Sequence, residues 1–128
     1  IKPSLAFNFA ADIPVYSTSH VYSGEPNPSK DRDLNGIVFC DTPWLLQKSE
    51  LYEQVEQAVK GQGNHARLYA MGVDAFRLLP YLHQLEASPN SQVFGITGVL
   101  QVDTERRVVR VSQCTQFRGG NPQRVSTR

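Results

Sequence analysis

The sequence has 128 residues, 40% hydrophobic and 20% charged, with 13 basic and 12 acidic residues for a formal net charge of +1. That length suits one domain with a core of its own. A mean hydropathy of −0.37 and the lack of any apolar run near the roughly 20 residues of a spanning helix exclude a disordered or membrane-spanning chain. The net charge gives no reason to expect nucleic acid or an anionic membrane surface as partner.

In chain order, residues 1–12 read as a short helical or irregular segment, followed by a strand over 13–18 in "IPVYSTS". Its Ile, Val and Tyr favour a strand, and the small hydroxyl residues after them end it in a polar loop. Residues 21–36, rich in Pro, Gly, Ser, Asn and charge, predict a surface loop. "GIVFC", 36–40, is apolar without alternation, which predicts a strand covered on both faces. Pro43 breaks it, lacking a donor and restricting Thr42.

Residues 49–60 predict a helix. Ser49 is its cap, Glu50 and Glu53 lie in the first turn, Lys60 in the last, and Gly61 is the stop. A stronger helix follows over 64–86, where Leu68, Met71, Gly72, Ala75, Phe76 and Leu79 fall at helical spacing. With Tyr69, Val73 and Leu78 widening this stripe, it is the face expected to be buried. Gly72 and Ala75 invite close backbone approach, and Pro80 is expected to kink or end the helix, with 81–86 as a second piece. After the loop 87–92, Val99, Leu100 and Val102 precede the turn 103–106, and Val108, Val109 and Val111 follow it. This predicts a β-hairpin.

Residues 119–128 show no periodicity and are expected to form an exposed tail. Six arginines and no acid lie between 106 and 128, which reads as a solvated basic rim. A start at Ile1, without a Met, a leader or a lipid-attachment Cys, leads to the expectation of a piece of a larger α/β protein. So does the count of strands, too few for a complete parallel sheet.

Candidate chemistry is sparse. A nucleophilic Cys40 would need a base, yet His20, His65 and His83 sit in no local motif with it. Cys40 and Cys114 both end predicted strands, so a disulfide between them, which requires an oxidising compartment, stands beside two free thiols. No two histidines lie at i and i+4 and no carboxylate cluster adjoins them, so no metal is expected, and no cofactor either. "GITG" and "RGG" lack the strand, loop and helix order of a phosphate loop. Ser17, Thr18, Ser19 and Tyr22 are the candidate ligand-binding residues. They lie at the carboxyl end of a strand, where open α/β sheets receive ligands. A turn or cap formed by these hydroxyls is the competing reading.

Taken together, "DIPVYSTSHVYSG", "DLNGIVFCDTPWLL", "ARLYAMGVDAF" and "GITGVLQVD" resemble the carboxyl-terminal domain of the LppC/LpoA family. These are outer-membrane lipoproteins that activate class A penicillin-binding proteins. The resemblance implies a domain of the type I periplasmic-binding-protein kind, with two α/β lobes joined by hinge strands. This chain, 1–128, would be its carboxyl-terminal portion, with parallel strands covered by helices and a C-terminal β-hairpin. "IPVYSTS" would belong to the second lobe, "GIVFCDTPW" would run toward the hinge, and the "RLYAMGVDAF" helix would pack in the first lobe. The resemblance also implies a non-enzymatic regulator of peptidoglycan synthesis in the periplasm. Its partner would be a class A penicillin-binding protein, with peptidoglycan as a second contact, and its membrane link a lipid anchor outside these residues. The alternatives are a small-molecule receptor of the same fold and a thiol hydrolase using Cys40.

Overall fold

A computed structural model of the chain describes residues 1–46, 53, 54, 57, 65–88 and 90–125. Apart from Glu53, Gln54 and Gln57, which are helical, the helix expected over 49–60 lies outside the described residues. The chain divides into two compact units, Ile1–Asp41 with Gln113–Arg128, and Thr42–Ser112.

The first unit is built on a four-stranded sheet in the order β1-β2-β6-β7, where β1 is Val15–Ser17, β2 Ile37–Asp41, β6 Gln113–Arg118 and β7 Asn121–Arg124. Helix α1, Lys2–Phe7, precedes β1, and Lys2 Nζ donates to the carbonyls of Ala11 and Ile13 at 3.0 and 3.2 Å. Between β1 and β2 the loop predicted from composition contains a 3-10 turn at Ser19–Val21, helix α2 at Pro28–Asp31 and a second 3-10 turn at Arg32–Leu34. The side chain of Asn27 caps α2 by accepting from the N–H of Lys30.

That 19-residue connection, 18–36, lets β1 and β2 pair parallel, as crossover geometry requires. β2–β6 and β6–β7 are antiparallel. The α/β class stands, while parallel pairing among the described strands is confined to β1–β2. Burial along β2 alternates: Ile37, Phe39 and Asp41 are buried, Val38 is half-buried and Cys40 is exposed. The strand expected to be covered on both faces therefore has one covered face within this unit. An unbroken apolar run does not report which of its residues point inward, because the strand period still sends alternate side chains to opposite faces.

Residues 121–124, assigned to the exposed tail 119–128, are instead β7, joined to β6 by a two-residue turn. Gly119 at φ +60° and Gly120 at φ +74° are both left-handed, the requirement of a type I′ hairpin that two glycines meet without strain. A Cβ on Gly120 would lie 2.5 Å from the carbonyl oxygen of Pro28. The glycine is fixed by close approach as well as by its dihedral.

The second unit holds a three-stranded antiparallel sheet, β3-β4-β5, with β3 at Val93–Phe94, β4 at Val99–Val102 and β5 at Val108–Val111. β4 and β5 are the expected hairpin, paired from Val102↔Val108 to Val99↔Val111. Its helices are α3, Pro43–Leu46, α4, Ala66–Leu78, and α5, Leu82–Ala87, the last two separated by a 3-10 turn at Leu79–Tyr81. Pro80 thus tightens one turn and splits the predicted helix at the predicted place.

Two small cores form here. Trp44, Ala70 and Ile96 pack with Leu45 and Val73, and Leu78, Leu85, Leu100 and Val102 pack with Leu82 and Val93. The buried residues of α4 are Ala70, Asp74 and Leu78. Leu68, Met71, Phe76 and Leu79, expected to be the inward stripe, are exposed. The expectation is corrected: α4 is apolar on both sides, so hydropathy alone does not select the face that packs.

Candidate functional site

The candidate ligand residues lie where β1 runs into the Ser19–Val21 turn. Ser17 and Thr18 are exposed and Ser19 is half-buried, with the carbonyls of Thr18 and Ser19 accepting from the N–H groups of Val21 and Tyr22 at 3.2 Å each. These three hydroxyl residues stay together at the carboxyl end of the parallel pair. Tyr22 separates from them. Its side chain is buried, with its ring 5.8 Å from that of Phe39 and 6.1 Å from that of Phe117, and those two rings stack at 5.0 Å. Tyr22 is thus the third member of an aromatic core, held by packing worth more than its area alone. Its place was readable only from the alternation Phe39–Asp41 against Thr115–Phe117, which puts both phenylalanines on the inner face.

Cys40 and Cys114 face each other across β2 and β6 and form a disulfide, closing a sequence separation of 74 residues. With its sulfur bonded to Cys114, Cys40 presents no free thiol in this structure. The bridge lies one residue before the chain leaves the first unit after Asp41, and one residue after it returns at Gln113. Among the described residues no group of three or more His, Cys, Asp or Glu is placed to hold a metal ion.

The polar arrangement that sequence reasoning missed is in the second unit. Asp74, buried in α4, accepts from the N–H of Ile96 at 2.9 Å, and from the N–H and hydroxyl of Thr97 at 2.8 and 2.6 Å. "GITG" is therefore a loop received by a carboxylate rather than one that receives a phosphate. It closes on itself through Gly95 N–H to the carbonyl of Gly98 at 2.9 Å. A Cβ on Gly95 would run into the Asp74 carboxylate, and Trp44 N–H donates to the carbonyl of Ile96 at 3.0 Å. The signal available in sequence was an acid at an otherwise apolar helix position together with two glycines flanking Ile96 and Thr97. Neither alone names the other.

The basic rim is partly neutralised. Arg106 pairs with Glu86 at 2.8 Å, while Arg107 pairs with both Asp103 and Glu105 at 2.9 Å. Asp103 also accepts from the N–H groups of Glu105 and Arg107. The backbone N–H of Arg107, followed by its guanidinium, holds the Asp103 carboxyl below its ordinary value of 3.8.

Two shallow grooves flank α4. One, of about 530 Å³, is lined by Met71, Ala75, Leu78, Leu82, Leu100 and Val108, with Asp74, Thr97 and Arg110 as its polar members. The other, of about 610 Å³, is lined by His65, Leu68, Tyr69, Gly72, Val73 and Phe76. Both are dominated by apolar side chains with few converging polar groups, a composition suited to another apolar surface.

Residues 1–120 match the model of a family described as "LppC putative lipoprotein". The "Penicillin-binding protein activator LpoA" of Vibrio vulnificus is 41% identical over 110 residues, covering 82% of this chain and 18% of that protein. The solved C-domain of LpoA from Haemophilus influenzae, titled a regulator of PBP1A, superposes with a TM-score of 0.78 at 28% identity, over 97% of this chain and 40% of that one. A structure from Chromobacterium violaceum, titled "Structure of a putative branched-chain amino acid ABC transporter", has a TM-score of 0.62 at 26% identity, over 90% of this chain and 38% of that one. The chain spans about a fifth of the length of the curated relatives it matches. Among the described residues no helix is long and apolar enough to cross a membrane.

Proposed function

The chain belongs to the LppC lipoprotein family, and we propose that it is part of a non-enzymatic regulator of peptidoglycan synthesis that acts on a penicillin-binding protein by protein–protein contact. The partner in this reading is a class A penicillin-binding protein, with peptidoglycan as a second contact. The site of action is the periplasm, where a lipid anchor in the full-length protein holds it to the outer membrane. The observation that carries the reading is the family match over residues 1–120, whose relatives bear the activator name. The side chains favour contact over turnover. The Cys40 sulfur is bonded, and the buried carboxylate of Asp74 is spent on holding a loop.

The test is a pull-down of the full-length gene product with purified periplasmic synthases, followed by a cross-linking assay on the synthase it retains. Stoichiometric capture with a rise in cross-linking is expected. Capture of no synthase, with no change in cross-linking, overturns the reading.

A receptor for a small molecule is the second reading. It is favoured by the exposed hydroxyls of Ser17 and Thr18 at the carboxyl end of a parallel strand. Calorimetry of the full-length gene product with amino acids and muropeptides separates the two. One-to-one binding that Ser17→Ala with Thr18→Ala abolishes would establish the receptor.

A further inference from the structure

Cys40 and Cys114 are register partners on neighbouring strands, and both residues are exposed. The period of the sheet explains why. Ile37, Phe39 and Asp41 on β2, with Thr115 and Phe117 on β6, are buried on one face, so the cysteines between them stand on the other. The stacked rings of Phe39 and Phe117 lie across the sheet from the bridge, which is therefore no part of the aromatic core. Its place along the strands matters as well. Asp41 pairs with Gln113 one rung further on, and the chain passes to the second unit after Asp41 and returns at Gln113. Both crossings leave from the same end of one strand pair, and the bridge is the covalent tie beside that end. A sulfur that solvent reaches, and that parts from its partner without disturbing the core, is open to attack by an outside thiolate. Exposed bridges are the labile ones among protein disulfides.

We propose that Cys40–Cys114 is a thiol–disulfide exchange site in the folded protein, and that its reaction partner is an oxidoreductase carrying a dithiol. One thiolate of the dithiol attacks a bridge sulfur. The Cys40–Cys114 bond breaks as a mixed disulfide forms, and the other cysteine leaves as a thiolate that takes a proton from water. The partner's second thiolate then attacks the mixed disulfide, releasing the remaining cysteine, which is protonated in turn, and the partner departs with a disulfide of its own. Two electrons have passed from the dithiol to the bridge. Run backwards, the same exchange installs it. The opened form keeps the sheet and its core but no longer closes the 74-residue separation, so the redox state sets the stability of the protein without changing its fold. The proposal goes beyond the activator reading and does not depend on it, and no synthase enters its test.

The probe is reduced thioredoxin, applied to the full-length gene product, with alkylation of Cys40 and Cys114 read by peptide mass spectrometry. Both cysteines become alkylated at a rate proportional to the thioredoxin added. Urea below the unfolding transition changes that rate by less than about twofold, because no global opening precedes the attack. A rate that climbs in step with the unfolding equilibrium overturns the proposal, as does a bridge that thioredoxin leaves closed. A thioredoxin variant without its second cysteine gives an independent reading, since it accumulates as a mixed disulfide on Cys40 or Cys114. Failure to trap it counts against exchange. The reduced protein keeps the circular dichroism of the bridged form, and collapse of that signal on reduction makes the bond a condition of the fold and overturns the proposal.

Discussion

The two units spend their apolar residues differently. In the first, the sheet turns Ile37, Phe39 and Phe117 to one side, Tyr22 closes over the two phenylalanine rings, and a disulfide joins the central strands. In the second, two small apolar clusters are joined by a buried carboxylate that organises a glycine loop, while the longest helix among the described residues leaves most of its larger side chains in solvent. One unit is held by ring packing and a covalent bond, the other by a few directed hydrogen bonds. The lesson is that burying a single polar group in the right place can position a helix whose apolar residues are committed elsewhere.

The largest effect expected from breaking this contrast comes from the aromatic core. Phe117 is fully buried, and Phe117→Ala should cost about 4–5 kcal/mol, at the upper end for an enclosed aromatic, read from urea unfolding. Paired Cys40→Ser and Cys114→Ser should cost about 4 kcal/mol, the loop-closure value for the 74-residue separation. Reducing agent should produce the same loss in the parent and none in the double variant. In the second unit, Asp74→Ala strips the acceptor from two backbone N–H groups and a hydroxyl. A loss of about 3 kcal/mol is expected, with faster amide exchange at Ile96 and Thr97. If exchange there is unchanged, the carboxylate is not what holds the loop.

The smallest effect is at the β4–β5 turn. Asp103 titrates below its ordinary 3.8 in the folded chain. Its contribution is therefore fully present above that value and lost as pH falls through the lower folded one. Asp103→Asn should remove that acid-side dependence at only a small cost at neutral pH, because the Arg107 partner is exposed and screened by solvent. An unfolding curve measured between pH 5 and 2 checks it.

Much of this architecture was legible in the sequence. The β2 strand, the hairpin about residues 103–106 and the interruption at Pro80 each follow from a local rule, a run, a turn or a missing donor, and each is present. What was not legible depended on the partner of a residue rather than on the residue. Periodicity does not give the orientation of α4, because Leu68, Met71 and Phe76 make a better stripe than Ala70, Asp74 and Leu78, and only the loop at 95–98 decides between them. Tyr22 reads as one of a run of hydroxyls in sequence, whereas its neighbours in space are two rings from β2 and β6. The glycine pair at 119 and 120 reads as tail for lack of periodicity, although two consecutive glycines ahead of Asn121 satisfy a hairpin turn.

The Cys40–Cys114 bridge carries a further consequence. Because it spans the chain on either side of residues 42–112, the covalent topology is that of a ring with two tails. A protease that nicks the ring once anywhere in that stretch releases nothing. Both halves migrate together on a gel until a thiol is added, so damage to the second unit would leave the protein's ends tied to one another.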